Sequence, residues 1–223
     1  MLDRIAPLVL VHGTATTPAI WDAVAADLAA RGYDVRTPER PRTGDLAREL
    51  VWLAEQATGC WVIGQSGGAT LGLAAACTGV PLAGAVLHEP AVGSLVPDLL
   101  APVAAAFADG GTAALGATLY GPAWRAEPGA ASDDAVTTRE LAMFRGFEPG
   151  ALPASAGRVL VTHGARSLPV RARAAEAAAG LGAATRLLDG VAHHVALEAP
   201  GAFADVVAGW VAGWVEGRAG ASV

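Results

Sequence analysis

The sequence predicts an α/β protein: a six-stranded, mainly parallel sheet flanked by helices, with a small helical insertion after the fourth strand. Three observations lead there. Short uninterrupted apolar runs recur, such as Leu8-Val9-Leu10-Val11 and Cys60-Trp61-Val62-Ile63, as strands buried on both faces require. Between them lie stretches with apolar residues at helical spacing, closed by Gly- or Pro-containing turns. Hydrophobic residues make up 53% of the 223-residue chain and charged ones 16%, enough for one large core and too apolar for disorder.

The first strand, Leu8 to Val11, ends at His12-Gly13-Thr14. Thr17 is placed to cap a helix with Pro18 at its first position, and Ile20, Trp21, Val24 and Leu28 share a face until Arg31-Gly32 stops it. A second strand is expected from Tyr33 to Thr37, then a loop over Pro38 to Arg42, then a helix from about Asp45 to Ala57 with Leu46, Leu50 and Leu53 on one side. The third strand starts at Cys60, enters Gly64-Gln65-Ser66-Gly67-Gly68 and gives way to a small-residue helix ending at Cys77. A turn over Thr78 to Pro81 leads to a fourth strand, Ala83 to Leu87, which ends at His88-Glu89-Pro90.

From Ala91 to about Ala156 the alternation breaks into three expected helices, near 97–108, 112–120 and 132–145. This reads as a helical lid laid over the strand ends, so that residues 1–90 and 157–223 form the core and 91–156 the lid. Alternation then resumes: a strand at 159–162, a helix at about 170–179, a strand near 185–188, and a loop through His193 and His194. A helix from about Gly201 to Val215 closes the domain, and Glu216 to Val223 reads as a loose tail.

Composition excludes several classes of function. The net charge is −6 and every cationic side chain is Arg, which leaves no basic footprint for nucleic acid. Cys60 and Cys77 read as core, since neither their number nor their placement suits a disulfide framework or a metal site. The stretch from Gln56 to His88 carries no charge and imitates a membrane span, but its glycines, with Gln65, Ser66 and Pro81, break it into short elements. The N-terminus runs almost directly into the first strand without the apolar region of a signal peptide. The expectation is therefore a cytoplasmic protein, monomer or homodimer, acting on a small molecule without membrane, metal or cofactor.

Ser66 carries the strongest chemical signal. A serine on a sharp strand-to-helix turn is held in a strained backbone conformation, and glycines two residues to either side let strand and helix converge. Its hydroxyl then points outward. The helix that follows offers free N–H groups and the positive end of a dipole, where a developing oxyanion is stabilised. A merely structural Gly-rich turn would show the same letters; the flanking strand and helix are what favour a nucleophile elbow. His12-Gly13-Thr14, Ser66 and Glu89 all fall at carboxyl ends of strands, where open α/β sheets bind ligands.

On Val11-His12-Gly13-Thr14, on Gly64-Gln65-Ser66-Gly67-Gly68 and on His193 followed by Leu197-Glu198-Ala199-Pro200, the chain resembles an α/β-hydrolase with a lid. The likeness covers nearly the whole length outside the insertion. It implies the α/β-hydrolase fold, trimmed of an N-terminal strand pair, with the strands ordered second, first, third, fourth, fifth, sixth. It also implies an oxyanion hole made by the backbone N–H groups of Thr14 and Gly67. His193 and His194 compete as base; the family spacing to Leu197 favours His193 and leaves His194 as an alternative or as a neighbour that packs against it. His12, His88 and His163 read as hydrogen-bonded loop histidines.

Members of the family most often carry the acid in a Gly-x-x-Asp arrangement after the strand that follows the lid, where this chain has Gly164-Ala165-Arg166-Ser167. Some, including haloalkane dehalogenases, place it one strand earlier, where Glu89 stands. Glu89 as the acid, Glu89 as a salt-bridge partner of the lid, and a bare Ser–His dyad all stay open. His12, Gln65, Leu119, Trp124 and Phe144 are the substrate-pocket candidates. The implied activity is serine hydrolysis of an ester-type bond (carboxylic ester, lactone or thioester) in a small apolar substrate. Carbon–carbon bond cleavage or a lyase step, and ligand binding with little turnover, are the alternatives.

Overall fold

Six strands build one sheet: β1 (Leu8–Val11), β2 (Val35–Arg36), β3 (Trp61–Gln65), β4 (Gly84–His88), β5 (Arg158–Gly164) and β6 (Ala184–Leu188). The computed structural model describes residues 5–121, 124 and 133–220. The order is β2-β1-β3-β4-β5-β6 and all five pairings are parallel, which is the order the resemblance implied. Every residue of β1, β3 and β4 is buried, so these strands need apolar side chains on both faces, and their sequences supply them.

The helices are α1 (Asp22–Ala30), α2 (Leu46–Ala57), α3 (Gly67–Cys77), α4 (Ala101–Tyr120), α5 (Asp134–Arg145), α6 (Pro169–Gly180), α7 (Val195–Glu198) and α8 (Pro200–Gly220). Alternate strand residues divide between two layers. Val9, Val11, Val62 and Leu87 pack with Leu53 of α2, Leu71 of α3 and Ala174 of α6 on one face. Leu8, Leu10, Ile63 and Val86 pack with Leu28 of α1 and Phe203 and Val207 of α8 on the other. Parallel pairing brings the carboxyl ends of β1, β3, β4 and β5 to one edge, and α4 and α5 enter the chain between β4 and β5.

Several elements differ from the sequence-based expectation. Pro18–Trp21 forms a 3₁₀ turn to which Thr17 gives no side-chain cap, and the regular helix starts only at Asp22. At the sheet edge β2 is two residues long, since β1 offers few partners there. The two helices expected before Tyr120 are present: the span α4 is divided at Gly110 and Gly111, whose backbone is non-helical, and Asp134 of α5 accepts a hydrogen bond there from Thr112 N at 2.8 Å. The expected helix start at Ser132 lies outside the described residues. A short helix, α7, forms just after the expected loop through His194, and α8 continues to Gly220, so 216–220 is helical rather than a loose tail. Cys60 is buried, but Cys77 is only half-buried at the end of α3 and donates its thiol to Gly150 O at 3.0 Å; both are free thiols. The uncharged stretch from 56 to 88 becomes the end of α2, then β3, α3 and β4. Among the described residues no helix is long and apolar enough to cross a membrane.

Candidate active site

Ser66 sits between β3 and α3 with φ 56° and ψ −121°, a conformation that a non-glycine residue holds only under strain. The flanking glycines show why the turn can be so tight. A Cβ on Gly64 would lie 2.6 Å from Ala69 N, and one on Gly68 would run into Val11 O. Thr14 and Gly67 face the same space as Ser66: all three line one cavity, and a Cβ on Gly67 would be 3.2 Å from Thr14 N. The cavity holds about 30 Å³ of space open to the centre of a water-sized sphere, room for a water or two.

Glu89 follows β4 with φ 51°, a second strained non-glycine residue at a strand end. Its Oε2 accepts from His193 Nδ1 at 2.7 Å, while Oε1 accepts from Gly164 N at 3.0 Å and from the Ser167 hydroxyl. Since a carboxylate only accepts, Nδ1 carries the proton and Nε2 is left as the basic nitrogen; it is buried and has no partner. The loop bearing His193 is held from below. Glu198 accepts from Ala192 N at 2.8 Å and His194 N at 3.3 Å, His88 Nε2 bonds Ala192 O at 3.0 Å, and Gln65 Oε1 accepts from Ala196 N at 3.1 Å.

Burial sets the electrostatics. Removal from water, and after it the Arg171 charge, push His193 down to about 4 against the pull of Glu89. Burial would raise Glu89, but the hydrogen bond from His193 and the nearby His88 and Arg171 hold it below the usual carboxylate range. Near neutral pH the pair is thus an ionised carboxylate steering a neutral imidazole. His194, pushed down to about 3 by burial and then by His193 and His88, is neutral as well.

Tyr120, the last residue of α4, connects these groups and was not singled out from the sequence. Its ring stacks on His193 at 5.7 Å between centroids and lies tilted against His194 at 4.5 Å. Its hydroxyl donates to Thr14 O at 2.5 Å and sits near Ser66: a Cβ on Gly13 would lie 3.1 Å from the Tyr120 hydroxyl oxygen and 3.0 Å from the Ser66 Cβ. An aromatic residue at the end of an inserted helix was the available signal, but nothing local says which aromatic of the insertion faces the site. Among the pocket candidates, Leu119 and Phe144 do line the cavity. His12, Gln65 and Trp124 do not: His12 Nε2 accepts from Arg40 N at 3.4 Å, Gln65 braces α7, and Trp124 Nε1 donates to Ala15 O at 3.0 Å. Proximity to a strand end put the first two in the wrong layer. His12 and His88 are hydrogen-bonded as expected, but Nδ1 of His163 is buried without a partner. Both ring nitrogens of His194 are unpartnered, so it lacks the carboxylate that orients His193.

A buried charge cluster fastens α5 beside the site. Glu140 contacts Arg40 and lies 3.2 Å from Arg42, and Arg40 Nε is 3.5 Å from Glu49 Oε2. Arg40 also donates to His12 O at 3.1 Å, next to the Gly13-Thr14 loop. Among the described residues no cluster of three or more His, Cys, Asp or Glu side chains could hold a metal ion.

A parallel sheet in this order, with a strained serine after its third strand and a carboxylate-bound histidine after its sixth, is the α/β-hydrolase fold. The chain matches the Alpha/beta hydrolase family over residues 8–206; it belongs to that family and is an enzyme of the hydrolase class. Three solved structures share the fold. A pyrethroid hydrolase from Sphingobium faniae JZ-2 is 16% identical with a TM-score of 0.66, the match covering 92% of this chain and 97% of that one. A structure from work on carboxylesterases of the thaumarchaeon Nitrososphaera gargenis is 17% identical, TM-score 0.66, covering 96% and 92%. The thioesterase domain from the curacin biosynthetic pathway is 19% identical, TM-score 0.59, covering 91% of each. Among curated proteins, none matches the chain in sequence.

Proposed function

We propose that this enzyme is a serine hydrolase that cleaves an ester-type bond (carboxylic ester, lactone or thioester) in a small substrate with a largely apolar body. The observation that carries the reading is His193: clamped by Glu89 through Nδ1, with its ring stacked on Tyr120 and with Nε2 buried, free of any partner and not hydrogen-bonded to Ser66. The names of the structural relatives, esterases and a thioesterase, support the same bond class.

In this reading the Ser66 hydroxyl gives its proton to His193 Nε2 as Oγ attacks the acyl carbon. The N–H groups of Thr14 and Gly67 receive the oxyanion, and Glu89 stabilises the imidazolium. His193 then protonates the leaving group, and water, deprotonated by the same imidazole, releases the acid. The insertion at 91–156 acts as a lid: its Leu100, Val103, Leu115, Leu119, Leu141 and Phe144 line the cavity over Ser66 and would meet the apolar body of the substrate.

Ser66→Ala tests the nucleophile. The variant should fold normally, lose turnover of p-nitrophenyl butyrate and lose labelling by a fluorophosphonate. Turnover at the wild-type rate would overturn the reading.

A further inference from the structure

Arg171, on α6, is a buried cation in the cavity wall that the proposed chemistry leaves without a task. It lines the cavity over Ser66 and also an adjoining recess with about 130 Å³ of space by the same measure, and its side chain is 8% exposed. Its protein contacts are long. Nε is 3.4 Å from Glu89 Oε2, and Nη1 donates to the Glu89 carbonyl at 3.4 Å. The short contacts of the Glu89 carboxylate go to His193, Gly164 N and Ser167 instead.

A guanidinium has five N–H donors in a planar fork shaped for a carboxylate, and a buried one is stabilised only when those donors are matched. Two long contacts leave Arg171 with donors to spare. The recess holds a second cation, Arg166, at its exposed rim, and Ser167 between the two. Glu89 is the one carboxylate among its described lining residues, and both of its oxygens are already engaged. Val103 and Leu119 line both spaces and His193 lines the recess, so an anion seated there would lie one apolar layer from Ser66 and beside the base.

We propose that Arg171 makes this recess a subsite for an anion, so that the preferred substrate is an ester or thioester bearing a carboxylate on a short apolar spacer. The proposal rests on the serine-hydrolase reading and names its substrate class. Recognition and chemistry would also be linked: the Arg171 charge weakens His193 as a base, and an anion seated on Arg171 offsets that charge.

The test compares kcat/KM for two matched pairs: monoethyl adipate against ethyl hexanoate, and 3-carboxyphenyl butyrate against phenyl butyrate. In at least one pair the wild-type enzyme should favour the carboxylate by about tenfold or more, the scale of a hydrogen bond to a charged group. Arg171→Gln should erase that ratio, mainly through KM, and Arg171→Lys should keep part of it. A parallel fall for both members of a pair would make Arg171 a support for Glu89 only and overturn the subsite. So would ethyl hexanoate turnover with no carboxylate advantage in either pair, a result that needs no variant to fold. Labelling of Ser66 by a fluorophosphonate without turnover of either carboxylate ester overturns the subsite alone; neither labelling nor turnover overturns the hydrolase reading with it.

Discussion

Glu140→Ala should unfasten the insertion from the sheet. The Glu140 and Arg40 side chains are wholly buried and in contact, and Arg42, 12% exposed, sits 3.2 Å from the same carboxylate. Removing Glu140 leaves two cations short of a partner. Arg42 can turn toward water; Arg40 cannot, and keeps Glu49 at 3.5 Å and the His12 carbonyl at 3.1 Å. Breaking a buried pair from one side costs about 3–5 kcal/mol, and the surviving Glu49 contact places this case near the lower end, about 3 kcal/mol. For a chain of this size that lowers Tm by about 6–12 °C in a thermal melt followed by circular dichroism. Arg40→Met with Glu140→Leu and Glu49→Gln should recover most of the loss, because apolar packing can replace buried charges without the cost of desolvating them, whereas without the third change the wholly buried Glu49 would lose its cation. Phe144, one turn beyond Glu140, lines the cavity, so KM should rise in the single variant. A Glu140→Ala melt within about 2 °C of wild type would refute the claim that these charges are dry and coupled.

Three further outcomes follow from the Glu89–His193 pair. Activity should rise with pH through an apparent pKa near 4 and then level, since the base must be neutral; a limb near 6.5 in a kcat/KM profile would mean that the imidazole is wet. The same group makes stability depend on pH. Its folded pKa lies below the unfolded 6.5, so the unfolded chain binds the proton first, and stability intact above pH 6.5 falls by about 3 kcal/mol as pH drops to 4, readable in urea melts. Glu89→Gln should lower kcat by about 10²- to 10⁴-fold, and adding Ser167→Asp should restore part of it, because the Ser167 hydroxyl already touches the Glu89 carboxylate. A double variant no faster than Glu89→Gln would show that a carboxylate from position 167 cannot reach His193.

The sheet was legible because its determinants are local. A buried parallel strand announces itself as an apolar run, and Leu8–Val11, Trp61–Gln65 and Gly84–His88 have little else in them. Ser66 was legible for the same reason, since the glycines that permit its turn stand two residues away. Tyr120 and Arg171 were not. Tyr120 reaches Thr14 across 106 positions and Arg171 reaches Glu89 across 82, and no periodicity encodes meetings of that range. The Arg40–Glu140 contact spans 100 positions and was hidden by the usual expectation that charges face water. Gln65 and His12 were misplaced because sequence tells that a residue ends a strand, not which layer its side chain enters.

The position of the proposed acid, Glu89, illustrates how much freedom this fold leaves. β4 and β5 are paired up to His88 and Thr162, and Glu89 N still donates to Thr162 O at 2.9 Å, so the two chain ends leave the sheet side by side. From one end comes the Glu89 carboxylate; from the other come Gly164 N and the Ser167 hydroxyl, and all three meet at Oε1. A carboxylate delivered by either end would therefore arrive beside His193. The positive φ of Glu89 is the local cost of delivering it from β4, and the serine at 167 supplies a donor where the more usual aspartate would have been a competing anion. No such exchange is open at position 66. In the proposed mechanism the nucleophile needs a strained turn, glycines that let β1, β3 and α3 close around it, and two backbone amides beside it, and the chain offers that combination at Ser66.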